Sequence, residues 1–178
     1  TKLYVDDDPN ILAAMQRNLG RQFQLLAAAS AEEGLQTLDK EPAIAVVLSD
    51  MRMPGMDGIK FLCAVKERRP DIVCMMLTGN ADLDTAMRAV NEGRIFRFLL
   101  KPSPKEVVSG AITAALEQYH LVRAEHELLH KTLTGAIHVL TDVLSLTNPA
   151  AFHRSLRIRQ HVRQMATVLK LPGLWQYE

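Results

Sequence analysis

The sequence predicts an α/β protein: a doubly wound, five-stranded parallel sheet followed by a long C-terminal helical extension. Three observations carry that reading. Five short apolar runs alternate with helical patterns over residues 1–120. The third and fourth runs are continuous rather than alternating, as in strands buried on both faces. Past Pro104 the strand-like runs stop, while helical periodicity continues to Thr147.

The elements follow in order. Leu3-Tyr4-Val5 is a strand, and Asp8 caps a helix that has Pro9 in its first turn and continues over Asn10–Arg21. Phe23–Ala28 is a strand, and Ser30 with Glu33 forms a capping box ahead of a helix over Ala31–Lys40. Ile44–Leu48, Ile72–Leu77 and Ile95–Leu100 complete the sheet. Helices over Gly58–Arg69 and Asp84–Gly93 join them, Gly93 being placed to end its helix. Lys105–Thr147 is a long helix, Asn148-Pro149 interrupts it, and an amphipathic stretch runs over Phe152–Leu171. The domains are therefore residues 1–120, an overlapping linker helix over 104–147, and a partial helical region over 148–178.

At 178 residues, 48% hydrophobic and 23% charged, the chain has the profile of a globular protein with a real core. A net charge of +1 gives no reason to expect nucleic acid or membrane as a partner. Cys63 and Cys74 fall in apolar stretches, where buried thiols are expected. Without a signal peptide or an apolar run of about 20 residues, the chain is expected to be cytoplasmic. Both ends have the look of a segment cut from a longer chain.

Ligands of open α/β sheets bind beyond the carboxyl ends of the strands. The first strand ends in Asp6-Asp7-Asp8, the third leads to Asp50, the fourth to Thr78 and the fifth to Lys101. Separate strand ends thus bring acidic groups, a hydroxyl and an ammonium to one rim. Carboxylates gathered this closely repel, so one is protonated or a cation sits among them. A donor set of hard oxygens suits Mg²⁺. The plainer alternative is a set of helix caps and turn residues, which fits Asp8 but leaves the convergence of the others to coincidence.

Val5-Asp6-Asp7-Asp8, Ser49-Asp50 with Met53-Pro54-Gly55 and Asp57-Gly58, Leu77-Thr78-Gly79 and Phe98-Leu99-Leu100-Lys101-Pro102 resemble the motif set of two-component receiver domains, over residues 1–120. The resemblance implies a flavodoxin-like fold and a switch that is phosphorylated and dephosphorylated, not an enzyme with an external substrate. It implies that Asp50 is the phosphoacceptor. Asp7, Asp50 and the Arg52 backbone carbonyl bind Mg²⁺ directly, and Asp6 acts through water. Thr78 and Lys101 contact phosphoryl oxygens, Phe98 is the aromatic switch residue, and Arg52 and Asn80 tune the phosphoryl lifetime. Leu100 departs from the family, which often has a small or hydroxyl residue there. A histidine kinase or phosphotransfer protein is the implied partner. The chemistry is consistent: a carboxylate attacks phosphohistidine, and Mg²⁺ with an ammonium stabilises the charge on the transferred oxygens.

Other motifs are weaker. His126-Glu127-Leu128-Leu129-His130 has the zinc-hydrolase pattern but lacks a third ligand at suitable spacing. As a phosphotransfer site, His126 lacks the residues that usually follow. Arg154, Arg157, Arg159 and Arg163 with His153 and His161 make a basic helix, but Phe152, Leu156, Val162, Met165 and Leu169 give it an apolar stripe. A solvated face on a packed helix is the better reading, and direct nucleic-acid binding is not expected.

Asn148-Pro149 through Leu169, with Leu171 beyond, resembles the entry helices of HD-type (HD-GYP-like) phosphohydrolase domains. His153 is out of register for the first metal ligand and the chain has no His-Asp dipeptide, so this chain cannot perform that hydrolysis. Output through a phosphohydrolase-like region is the leading reading; the alternative is a transcriptional regulator without its DNA-binding part. Finally, Ile112, Tyr119, Leu133 and Leu140 at heptad a positions, with Val122 and Leu129 at d, form a seam suited to a homodimer.

Overall fold

Strand formation follows from the runs of β-branched and aliphatic residues that can be covered on both sides. The computed structural model describes residues 1–79 and 95–168, without the side chains at 151, 155, 156, 163 and 166–168. The helix expected over Asp84–Gly93, the lifetime-tuning position Asn80, and Leu169 to Leu171 lie outside the described residues. So do the side chains of Leu156 and Arg163.

The chain divides into Thr1–Glu125 and His126–Glu178. The first unit contains β1 (Lys2–Val5), α1 (Pro9–Leu19), β2 (Leu25–Ala28), α2 (Ala31–Lys40), β3 (Val46–Asp50), α3 (Gly58–Arg68), β4 (Val73–Thr78), β5 (Arg97–Leu100) and the start of α4 (Lys105–Thr147). All five strands are parallel, in the order β2-β1-β3-β4-β5. The doubly wound sheet predicted from the sequence is present.

Alternation along each strand divides the core into two layers. Leu3, Val5, Val47, Cys74 and Met76 pack with Phe61, Leu62 and Val65 of α3 and Leu38 of α2. Tyr4, Val46, Leu48, Met75 and Leu77 pack with Leu19 of α1 and Val108, Ala111, Ile112 and Ala115 of α4. The sheet is thus covered on both sides, which is why β3 and β4 are buried along their whole length.

The caps form much as the sequence predicts. The Asp8 carboxylate accepts from Asn10 N–H at 2.8 Å, and Ser30 Oγ from Glu33 N–H at 3.1 Å. Glu33 reaches one residue further back than a capping box requires, accepting from Ala29 N–H at 2.7 Å. Several strand limits move. Phe23 stays out of β2 because its N–H donates to Leu19 at the end of α1; its buried ring lies under the Lys2 ammonium at 4.9 Å. β3 starts later than expected, at Val46, and reaches Asp50, because its ladder to β4 pairs Asp50 with Leu77.

The second unit holds the rest of α4 and α5 (Pro149–Val168). α4 is helical through Gly135, and Asn148 separates the two helices. The Asn148 N–H donates to Leu144 and its carbonyl accepts from Phe152 N–H, both at 3.0 Å, so the interruption is a single residue. Leu129, Leu133 and Leu140 of the predicted seam are exposed, as is Val143, the next residue at heptad spacing. Ile112 is only 1% exposed because the first unit's own sheet covers it, and Tyr119 packs against the same cluster. Val122 is half-buried, so the exposed part of the seam begins with Leu129.

Candidate functional site

Parallel strands in register bring their carboxyl ends to one rim. Val5 pairs with Ser49 and Asp50 with Leu77, while Thr78 pairs with Leu100, so Asp6, Asp50, Thr78 and Lys101 lie at the ends of adjacent strands. Asp6, Asp7 and Asp50 each offer an oxygen within 4.8 Å of the others, the one such group of potential metal ligands among the described residues. His126 and His130 belong to none.

Lys101 is the countercharge. Its ammonium donates to Asp6 Oδ2 at 2.8 Å and lies 2.6 Å from Asp50 Oδ1. Burial opposes that charge, but the hydrogen bonds to Asp50 and Asp6 outweigh it and raise the Lys101 pKa. The remaining oxygens are occupied by backbone donors: Asp50 Oδ2 by Arg52 N–H at 3.1 Å, and Asp6 Oδ1 by Asp8 N–H at 3.0 Å. Tyr4 adds a donor, its hydroxyl lying 2.5 Å from Asp6 Oδ2. Burial and the Asp6 hydrogen bond both raise the Tyr4 pKa, so the hydroxyl keeps its proton.

The sequence presents Tyr4 only as part of an apolar run. The overlooked signal is spacing: two residues before Asp6 on a strand means the same face, and a buried tyrosine hydroxyl requires a partner. Thr78 also departs from expectation. The sequence places its hydroxyl at the rim with the charged groups, but the residue is fully buried between β3 and β5, and its hydroxyl donates to the Gly79 carbonyl at 3.1 Å. Phe98 is half-buried against the α2/α3 layer. Arg52 is exposed, beside a cleft of about 620 Å³ that Asp7, Met53 and Lys60 also line.

Glycines permit the loop after Asp50. Gly55 has φ +78°, and a Cβ on Gly58 would sit 2.0 Å from the Asp50 carbonyl oxygen. Asp57 caps α3 by accepting from Lys60 N–H at 2.8 Å. Its burial opposes ionisation, but bonds from Lys60 prevail and lower its pKa.

Residues 3–113 match the family described as the response regulator receiver domain. This chain is a response-regulator receiver. Among relatives of this receiver, the hydrogenase transcriptional regulatory protein HoxA of Cupriavidus necator is 35% identical over 176 residues, 97% of this chain and 34% of HoxA. A structure of adenylate cyclase from Rhodopirellula baltica is 44% identical with a TM-score of 0.71, covering 73% of this chain and 96% of that one. The signal receiver domain of an HD domain-containing protein from Pseudomonas fluorescens is 33% identical with a TM-score of 0.64, covering 69% and 90%. The receiver chain thus spans about a third of HoxA's length. Receivers act in two-component signalling, with histidine kinases or phosphotransfer proteins as partners, and bind Mg²⁺ at an acidic pocket of this kind. Among the described residues, no helix is long and apolar enough to cross a membrane.

Proposed function

We propose that Asp50 is the phosphoacceptor of this receiver and that the phosphoryl group controls an output C-terminal to the sheet. The observation that carries the reading is Lys101 bridging Asp6 and Asp50 beside Asp7. Three clustered carboxylates, two of them sharing one ammonium, form a site that gains from a divalent cation, and its oxygen donors fit Mg²⁺. Asp7, Asp50 and the Arg52 carbonyl would hold the ion directly, with Asp6 through water. When bound, Mg²⁺ supplies neutralisation of charge on the transferred oxygens.

The chain's own residues do the rest. An Asp50 carboxylate oxygen attacks phosphorus in line, the O–P bond forms, and the P–N bond of the donor phosphohistidine breaks as imidazole leaves. Lys101 turns from the carboxylates to a phosphoryl oxygen. The Thr78 hydroxyl, now on the Gly79 carbonyl, rotates to donate to another. Moving that buried side chain frees space for Phe98 to turn inward, a two-state packing element biased by one covalent event. Arg52 and Asn80 set how readily water reaches the acyl phosphate. Incubation with acetyl phosphate and Mg²⁺ should add one phosphoryl group by intact mass, and none in Asp50→Asn. Wild-type labelling of that variant refutes the assignment.

Residues 1–120 form the receiver, 104–147 the linker helix and 148–178 the start of the output region. α4 pairs with a second copy through Val122, Leu129, Leu133 and Leu140, and the residues after Asn148 begin an HD-like region. The similarity to the receiver of an HD domain-containing protein supports that output. A transcriptional output is the second reading, favoured by the HoxA match over 176 residues. The coding sequence past Glu178 separates them: further HD-type metal ligands support the first, a DNA-binding helix-turn-helix the second.

A further inference from the structure

Tyr4 lies two residues before Asp6, whose N–H still bonds Ala28 of β2. Its ring is buried in the α1/α4 layer and its hydroxyl reaches the rim. The geometry concentrates on one atom: Asp6 Oδ2 accepts from Tyr4 Oη at 2.5 Å and from Lys101 Nζ at 2.8 Å. The other oxygen is already held by Asp8 N–H. Asp6 is 1% exposed, so water is a poor substitute for either donor.

The consequence appears when Lys101 turns toward a phosphoryl oxygen. Asp6 Oδ2 then keeps only the Tyr4 hydroxyl, and without it the carboxylate would be held by Asp8 N–H alone. We propose that Tyr4 is a positioning residue: its hydroxyl holds the Asp6 carboxylate in place while Lys101 transfers from Asp6 to the phosphoryl group. Tyr4 touches neither phosphoryl group nor cation and acts through Asp6. The inference rests on the phosphoacceptor reading above for the Lys101 movement.

Tyr4→Phe tests it, because phenylalanine keeps the ring's packing and removes only the hydroxyl. Mg²⁺ affinity is measured by titrating the amide NMR shifts of Asp8 and Arg52, and the phosphorylation rate with acetyl phosphate. Loss of an outer partner of this kind weakens metal binding by about tenfold, so that loss with slower phosphorylation is expected. Unchanged affinity and rate in a folded variant reduce Tyr4 to a packing residue and overturn the inference. Should the variant not fold, the Tyr4 hydroxyl proton of the wild type decides. Protection before and after beryllofluoride addition supports the role, and its disappearance on addition overturns it. If wild type gains no phosphoryl group at Asp50, the phosphoacceptor reading fails on its own, while the Mg²⁺ titration still judges Tyr4.

Discussion

Lys101 stabilises the unphosphorylated receiver and, in the proposed mechanism, leaves its partners on phosphorylation. Its place after the fifth strand is legible in the sequence, but its double contact with Asp6 and Asp50 comes only from the folded rim. Lys101→Ala leaves acidic groups together without their ammonium, one of them 1% exposed. Breaking a fully buried pair costs ~3–5 kcal/mol; the side chain is 28% exposed, so about 2–3 kcal/mol is expected in Mg²⁺-free buffer. Mg²⁺ should raise the melting temperature of this variant more than that of wild type, since the ion replaces the lost charge. Equal shifts would show that the site takes up no compensating cation. Thr78 and Tyr4 were harder to foresee, because burial of one hydroxyl and the reach of the other depend on neighbouring strands.

At the scale of elements, the turn from β3 into α3 is the tightest constraint on the site. A methyl group at Gly58 meets the carbonyl of Asp50 itself at 2.0 Å. Neither backbone segment can yield without moving Asp50. Gly58→Ala should cost at least about 3 kcal/mol in urea unfolding, the upper end of ordinary overpacking. Gly55→Ala, strained only by its positive φ, should cost about 1–2 kcal/mol. A Gly58 variant as stable as wild type would mean the loop has another route. The sequence shows this turn through Pro54-Gly55 and Asp57-Gly58, and it shows β3 and β4 through continuous apolar runs. It does not show their ends. Asp50 extends β3 because β4 offers Leu77 as its neighbour, and that pairing is a property of the sheet.

For the whole molecule, the helical seam states a need without naming its partner. Ile112 and Ala115 serve the sheet, while Leu129, Leu133, Leu140 and Val143 remain exposed. With dimerisation through α4, sedimentation should give a dimer for the whole chain and a monomer for one ending at Tyr119. A monomeric whole chain at high micromolar concentration would sink that proposal. Alkaline stability is a second property of the assembled core. Burial pushes the Cys74 thiol from its ordinary 9.0 up to about 12, and Tyr4 and Lys101 are also raised. All three keep protons in the folded state that the unfolded chain releases. Their stabilisation is full below about pH 9 and is lost progressively as pH rises toward 12. Urea midpoints should therefore fall between pH 9 and 11, and Cys74→Ala should flatten the first part of that fall; a flat wild-type profile would contradict it.

The Lys101–Asp6 bond joins residues 95 positions apart, between strands that are not even neighbours in the sheet. Such a contact forms only after a large chain closure, and non-local contacts of this kind slow folding. A nascent receiver that has made β1 and β3 already has its acidic groups but lacks their ammonium. The proposed phosphorylation site is therefore completed in synthesis only with the strand that delivers Lys101. In the proposed mechanism, a polypeptide stalled before that strand would hold the carboxylates without the group that balances them.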